Sequence, residues 1–215
     1  MKGDFHIHSH YSSDSLTDVR TILKVSKKLG LDAISVTDHE SIRGSLEAKG
    51  MAKEFGIEIV SGMEINTDKG DILALQIGEE VQERVWDEVI DNVRAQGGIT
   101  VMPHPFRGHR DVYLISERVD LIEVHNGRGR PEENRRALEL AKGLKKPVLA
   151  GSDAHFWTEL GNSINEYDDL RKGATSWVGK TSSPAVSLFS KVVKDIRVGD
   201  PQLIPYHFSK FLRIR

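Results

Sequence analysis

Polar and apolar residues alternate at the very start of the chain. Asp4, His6 and His8 are separated by single apolar residues, so a β-strand would place all three on one face. Over 19–29 the apolar residues recur at intervals of three and four, which predicts a helix, and over 32–37 a mostly apolar run predicts a buried strand. A strand, a helix and a second strand are therefore expected in that order.

The same alternation continues along most of the chain. The pattern around Phe208 and Phe211 predicts no particular element. No linker, repeat or low-complexity tract interrupts the chain, so we expect an α/β fold formed by a single domain over residues 1–215. Further helices are predicted at 41–55, 81–96, 131–142 and 184–196, and further strands at 57–65, 70–78, 99–102, 119–125, 147–150, 159–166 and 174–180.

Residues able to bind metal ions follow the predicted strands one after another. A single residue of this kind at a strand end is most often structural, but a whole series is costly to bury unless cations neutralise it. If the strands are parallel, their carboxyl ends meet on one face, where the active sites of (β/α) barrels lie. The strand-end residues are His6, His8, Asp38, His39, Glu64, His104, His125, Asp153 and His155.

Composition narrows the kind of metal site and the kind of partner. The chain has no Cys, so any metal ligands must be nitrogen and oxygen donors, which suit Zn, Mn or Fe. A net charge of -2 without a long basic block makes nucleic acid a possible partner but not the favoured one. No apolar run is long enough to span a membrane and no apolar signal segment opens the chain, so we expect a cytoplasmic protein without a membrane partner.

A series of short motifs occurs in order between residue 4 and about residue 161. Each motif is weak alone, but the full series resembles the PHP family, the polymerase and histidinol phosphatase superfamily. The motifs are Asp4-x-His6-x-His8, Asp14, Thr37-Asp38-His39, Gly62-Met63-Glu64, His104-Pro105, Gly151-Ser152-Asp153-Ala154-His155 and Glu159-Leu160-Gly161.

The resemblance implies a distorted TIM-like (β/α)7 barrel that holds two or three divalent metal ions. Members of the family usually supply an additional His just after the strand that carries Glu64, and we expect Asp71 to substitute for it here. The implied ligands are His6, His8, Glu64 and Asp153 for one ion, Glu64, His104 and Asp71 for a second, and Asp14, His39 and His155 for a third.

The implied function is a metal-dependent phosphoesterase acting on a small phosphorylated substrate, a nucleotide or a sugar phosphate. A hydroxide that bridges two metal ions would attack phosphorus while the ions neutralise the phosphoryl oxygens. The expected catalytic residues are His39, His125, Asp153 and His155, and the expected substrate-binding residues are Arg107, Asn126 and Arg128.

Several of these residues have a purely structural alternative. Arg107 and Arg128 follow strand ends and could clamp a phosphate, although solvated surface arginines are more common. His125 lies two residues after Glu123 in the same predicted strand, so its side chain is expected to point inward. There it would act as an acid, bind substrate or form hydrogen bonds within the core. Asp4 is expected to orient a metal-bound imidazole. Three other histidines are expected on the surface or in loops: His10, His109 and His207.

Three other functions compete with the phosphoesterase. A 3'-to-5' exonuclease or other nuclease is one, because PHP domains also accompany DNA polymerases. A non-catalytic barrel that binds metal is a second, but such a protein would be expected to lack metal ligands. An amidohydrolase-like enzyme acting on another bond is a third, and the carboxylated Lys that often marks such enzymes has no suitably placed counterpart here.

Overall fold

Two mixed β-sheets surrounded by helices form the protein in the computed structural model, which describes residues 1–212. The strands are β1 (Lys2–Ile7), β2 (Ala33–Val36), β3 (Glu58–Ile59), β4 (Gly62–Thr67), β5 (Gly70–Leu75), β6 (Ile99–Met102), β7 (Leu121–Asn126), β8 (Val148–Gly151), β9 (Ser163–Glu166) and β10 (Ser176–Gly179). The α-helices are α1 (Val19–Lys28), α2 (Arg43–Phe55), α3 (Trp86–Ala95), α4 (Val112–Arg118), α5 (Pro131–Leu144), α6 (Pro184–Val198) and α7 (Ile204–Leu212).

The strand order divides the chain into two halves. The first sheet has the order β10-β9-β1-β2-β3 and the second has the order β4-β5-β6-β7-β8. Strands β1, β2 and β3 are parallel, as are β6, β7 and β8, whereas β4–β5–β6 and β1–β9–β10 are antiparallel. The α/β class is therefore confirmed. The closed (β/α)7 barrel is not confirmed, because neither sheet closes on itself.

The two sheets meet along a seam near their metal-competent strand ends. Over the described residues, two isolated parallel bridges cross it, between Ile7 and Ala154 and between His39 and Glu64. The backbone N–H of His8 donates to the Ala154 carbonyl at 2.8 Å. These contacts bring the ends of β1 and β2 next to the ends of β8 and β4, which places residues distant in sequence at one location.

The predicted strand 57–65 is in fact two strands that belong to different sheets. β3 pairs with β2, and β4 pairs with β5 after the chain has crossed the seam at Ser61. Gly62 makes the crossing possible, because a Cβ there would lie 2.7 Å from both the Ala74 carbonyl oxygen and Ser35 Oγ. Only a residue without a side chain allows so close an approach.

Apolar helix faces cover the outside of both sheets. Val19, Ile22 and Leu23 of α1 are fully buried against the first sheet, as the three- and four-residue spacing predicts. Val89, Ile90 and Val93 of α3 are fully buried against the second. The predicted helix at 81–96 begins only at Trp86, whose backbone N–H donates to Asp68 Oδ1.

The C-terminal part of the chain adds two helices, α6 and α7, joined by a short 3-10 turn (Pro201–Leu203). The segment around Phe208 and Phe211, for which the sequence predicted no element, lies in α7. Among the described residues, no helix is both long enough and apolar enough to cross a membrane.

Candidate metal centre

Two imidazoles from the first sheet face two carboxylates from the second across the seam. His8 Nε2 lies 3.3 Å from Glu64 Oε2 and 3.3 Å from Asp153 Oδ1. His6 Nε2 lies 3.4 Å from the same Glu64 oxygen and 3.6 Å from Asp153 Oδ1. All four side chains are at most 2% exposed. The structure therefore brings together the four residues expected to ligate the first ion.

Hydrogen bonds on the far side of His8 fix its tautomer. Ser12 Oγ donates its single proton to Asp38 Oδ1 at 2.7 Å and lies 3.1 Å from His8 Nδ1, so Nδ1 carries a proton and donates it to Ser12. In the neutral ring the lone pair of His8 is then on Nε2. That atom is buried and has no hydrogen-bond partner among the described residues. An unpartnered lone pair between two carboxylates is what a divalent cation requires of a His ligand.

Glu123 orients the second imidazole, a role that the sequence analysis gave to Asp4. Glu123 Oε1 lies 2.9 Å from His6 Nδ1, and Glu123 Oε2 accepts the backbone N–H of His104 at 2.7 Å. Asp4 instead accepts the backbone N–H of Ser152 at 3.1 Å. Gly151 provides the space for this arrangement, because a Cβ there would collide with the Glu123 carboxylate and with His6. A carboxylate within an otherwise apolar strand was the available sequence signal for Glu123.

The second expected group of ligands is also assembled around Glu64. Glu64 Oε1 lies 3.1 Å from His104 Nε2, and Asp71 Oδ2 lies 3.9 Å from the same nitrogen. Asp71 also accepts a hydrogen bond from Asn66 at 2.7 Å. Asp71 thus lies in one group with Glu64 and His104, and its substitution for a His stays a prediction.

The third expected group lies at the outer edge of the cluster. Asp14 Oδ2 lies 3.2 Å from His155 Nε2 and 3.5 Å from His39 Nε2. The His155 Nδ1 lies 2.9 Å from the Asp153 carbonyl oxygen, which can only accept, so the lone pair of a neutral His155 is on Nε2 and faces Asp14. Nitrogen and carboxylate donors without sulfur in all three groups fit divalent zinc, manganese or iron.

Two of these residues have unusual backbone conformations. His104 has a φ of 31° and Asp153 a φ of 52°, both in the left-handed region. Such conformations cost on the order of 1 to 3 kcal/mol each in residues other than Gly. Each residue lies two positions after the end of a strand of the second sheet, β6 or β8, and its side chain reaches the cluster.

The electrostatics of the cluster favour ionised carboxylates. Burial alone would raise the pKa of Glu64, but His6 and His39 hold it well below its usual value. Burial would likewise raise the pKa of Asp153, which Arg107 and His6 hold well below its usual value. Burial would lower the pKa of His39, but the Glu64 and Asp14 carboxylates raise it to about 9. The buried carboxylates therefore require positive charge, which either protons or divalent cations supply.

The expected substrate-binding residues are only partly available to a ligand. Arg107 lies 2.5 Å from Asp153 Oδ2 and donates to Asn126 Oδ1 at 3.2 Å, at the edge of the cavity described below. Arg128 forms a two-pronged ion pair with Glu159 at 2.9 and 2.7 Å and also donates to Ser190. Asn126 is buried and its amide group is bonded to protein partners on both sides.

His125 does not reach the cluster. β7 pairs with β8 with an extra residue between Glu123 and His125, a β-bulge that reverses the parity on which the inward prediction rested. Asn126 consequently lies beside Glu123, and its side chain donates to Glu123 Oε2 at 2.8 Å. His125 Nδ1 lies 2.9 Å from Ser163 Oγ, and its ring packs against Gly179.

A cavity of about 790 Å³ opens directly over the metal-competent residues. Its strand-end side includes Asp14, His39, Glu64, Asp71, His104, Arg107, Asp153 and His155. Its opposite side is formed by α6 and α7, through Ser187, Leu188, Ser190, Lys191, Lys194, His207 and Phe211. We call this second side the helical wall. His207, expected on the surface or in a loop, thus lies on a helix that lines the cavity, and no feature of the sequence indicated this position.

Two archaeal proteins and a segment of a bacterial DNA polymerase are similar in sequence to this chain. MJ1587 of Methanocaldococcus jannaschii is 41% identical over 117 residues, which cover 49% of this chain and 68% of that protein. MJ0417 of the same organism is 31% identical over 182 residues, which cover 79% of this chain and 72% of that protein. The PolC-type DNA polymerase III of Bacillus subtilis is 32% identical over 90 residues, 41% of this chain but 6% of the polymerase.

Solved structures support the same fold. A two-domain protein from Bacteroides vulgatus, described as containing a predicted PHP-like metal-dependent phosphoesterase, superposes with a TM-score of 0.64 at 20% identity. The superposition covers 77% of this chain and 58% of that longer chain. A family model described as PHP domain matches residues 4–155, which include every residue of the three ligand groups. The chain therefore belongs to the PHP family.

Proposed function

We propose that this protein is a metal-dependent phosphoesterase that hydrolyses a small phosphorylated molecule, such as a nucleotide or a sugar phosphate. The observation that carries the proposal is the convergence of His6, His8, Glu64 and Asp153 beside a cavity that Glu64 and Asp153 line. The partnerless Nε2 of His8 in this group supports cation binding. Two or three divalent ions, held by the three ligand groups, are proposed as cofactors.

The chemistry divides between the bound ions and the residues of the chain. When bound, divalent ions at such a site polarise phosphoryl oxygens and lower the pKa of a water molecule. Glu123 and Ser12 keep His6 and His8 in the tautomer and orientation that ligation requires. Arg107 is the proposed phosphate contact, because a guanidinium matches the geometry of phosphoryl oxygens.

We assign Arg128 and Asn126 to positioning rather than to substrate binding. Glu159 and Ser190 accept the side-chain donors of Arg128, and the hydrogen bond to Ser190 links α6 of the helical wall to this buried ion pair. Asn126 holds Arg107 and Glu123 in place. His125 is proposed to have no catalytic role, because the bulge in β7 directs it toward Ser163.

The size and charge of the cavity favour a small anionic substrate. Its volume of about 790 Å³ lies within the range of sites that enclose small molecules. Arg107, Arg130 and Lys194 line it and supply positive charge. The same basic residues, with the similarity to a polymerase segment, favour a nuclease as the second candidate. The cytoplasmic location stays a prediction from the sequence.

The test is hydrolysis by protein stripped of metal and reloaded with Mn or Zn. An aryl phosphate monoester, an aryl phosphate diester and a single-stranded oligonucleotide serve as substrates. We expect ester hydrolysis that depends on metal and that falls at least about 100-fold in Asp153→Ala and His39→Ala, since loss of a ligand costs several kcal/mol of transition-state stabilisation. Glu88→Gln, which changes an exposed carboxylate on α3, is the control.

The outcomes separate the candidates. Preference for either aryl ester supports the phosphoesterase and chooses between monoester and diester chemistry. Faster cleavage of the oligonucleotide supports the nuclease. Folded, metal-loaded protein that cleaves none of the three contradicts the proposal and favours a metal-binding protein without turnover.

A further inference from the structure

One imidazole on the helical wall, that of His207, lines the cavity but belongs to none of the three ligand groups. Among the described residues, four histidines line the cavity: His39, His104, His155 and His207. The first three belong to groups of donors close enough to hold an ion, and His207 belongs to none of those groups. It also lies outside residues 4–155, which match the family.

His207 lies beside a buried carboxylate. Its Nε2 lies 3.1 Å from Oδ2 of Asp195, which is within ion-pair distance but outside hydrogen-bond geometry, and the Asp195 side chain is 7% exposed. Asp195 is in α6 and His207 is in α7, so the pair links the two helices of the wall. A carboxylate on one ring nitrogen fixes the orientation of an imidazole and leaves the other nitrogen, here Nδ1, for a ligand.

The wall that carries this pair is fastened over the metal centre. Ser190 of α6 accepts a hydrogen bond from Arg128 at 2.7 Å. Arg197 of α6 donates to the carbonyls of His10, Ser12 and Ser15 at 2.8 to 2.9 Å. Those carbonyls belong to the loop that carries Asp14. The position of His207 across the cavity is therefore set by bonds to the strand-end side itself.

The geometry points to His207 as the proton donor to the leaving group, with Asp195 as its positioning residue. This inference rests on the proposed phosphoesterase function. Water attacks phosphorus, forms the new P–O bond and releases a proton to solvent. The bond from phosphorus to the ester oxygen breaks, the oxygen keeps the electron pair, and the Nδ1 proton of the imidazolium moves to it. The products are an alcohol and inorganic phosphate, and the imidazole regains a proton from solvent.

A proton donor is recognised by its dependence on the leaving group. An alkyl alcohol is a poor leaving group and needs the proton, whereas 4-nitrophenol leaves readily without it. Metal-loaded wild type and His207→Gln are compared on 4-nitrophenyl phosphate and on an alkyl phosphate, glycerol 2-phosphate. The amide of Gln can keep the contact with Asp195 but cannot donate as an acid. Ser209→Ala, an exposed change on the same helix, is the control.

We expect kcat/KM of His207→Gln to fall about 100-fold or more on the alkyl ester and less than about tenfold on the aryl ester. We also expect added imidazole to restore alkyl ester hydrolysis in His207→Ala. Melting temperatures of all variants verify folding.

Equal losses on both esters, or no loss on either, overturn the inference while leaving the phosphoesterase intact. Wild type that hydrolyses neither of these monoesters overturns this inference, and it overturns the proposed function as well only if the aryl diester is not hydrolysed either.

Discussion

The two sides of the cavity are built on different principles. On the strand-end side, most metal-competent residues lie in a strand or shortly after one, and they face other residues of the same kind. On the helical wall, the cavity-lining residues are unlike one another and belong to two helices that no strand positions. Bonds of Arg197 and Ser190 to the other side hold the wall in place.

This difference suggests separate roles for the two sides: metal binding for the strand-end side and substrate selectivity for the helical wall. The strand-end side lies within the segment that matches the family, and its donor set is suited to phosphoryl transfer of many kinds. The wall lies beyond that segment, and its Lys194 and His207 line the cavity. We therefore expect changes on the first side to abolish metal binding and changes on the second to alter substrate preference.

The largest effect is expected from Glu123→Gln on the strand-end side. The amide weakens the bond to His6 Nδ1 and removes the charge that orients the ring. Loss of such an outer partner typically lowers metal affinity 10- to 100-fold. Titration of metal-free protein with Zn in a calorimeter measures the change in metal affinity. Glu88→Gln serves again as control, and an unchanged affinity would show that His6 needs no orienting carboxylate.

A smaller effect is expected from Arg197→Met on the helical wall. The change removes three hydrogen bonds from a charged donor to loop carbonyls, at a cost of roughly 1 to 3 kcal/mol. We expect faster amide hydrogen exchange in α6 and in residues 10–15, with Zn affinity at the His6 and His8 site retained. Arg135→Met, which removes an exposed arginine of α5, is the control. Exchange rates equal to wild type would mean that other contacts hold the wall.

The smallest effect on hydrolysis is expected from His125→Asn, because the bulge keeps this residue out of the cavity. Burial lowers the pKa of His125, so the folded state disfavours its charged form. Its contribution to stability is then present above the ordinary pKa of about 6.5 and is lost as the pH falls from there toward the lower folded value. Chemical denaturation across this range should show less acid sensitivity in the variant. A loss of hydrolysis as large as that of Asp153→Ala would show that His125 takes part in the reaction.

The convergence of the strand-end residues could be predicted because the carboxyl ends of parallel strands lie on one face. The two-residue period of a strand was enough to place His6 and His8 on one face. The position of Asp153 after β8 was enough to place it at the strand ends. The crossing at Gly62 was harder, because a continuous apolar run does not reveal where a chain leaves one sheet for another. That crossing is one reason why a single closed barrel was expected and two sheets are observed.

The remaining errors arise from contacts between distant parts of the chain. A single inserted residue in β7 reversed the parity of His125, and sequence periodicity cannot locate a bulge. Glu123 was assigned no role because its partner, His6, is far from it in sequence. The spacing within α6 predicted a helix correctly, but an amphipathic pattern does not identify what the helix covers. His207 was missed for that reason.

An ion bound at the seam between the two sheets would also lower the conformational entropy of the unfolded chain. A cation held by His6 and Asp153 would join positions about 150 residues apart, across a boundary with few backbone hydrogen bonds. In a protein without cysteine, such an ion acts as a cross-link much as a disulfide would. At a free concentration 1,000 times its dissociation constant it would add about 4 kcal/mol to the free energy of unfolding. The ion would thereby make the unfolding of the two sheets one cooperative event.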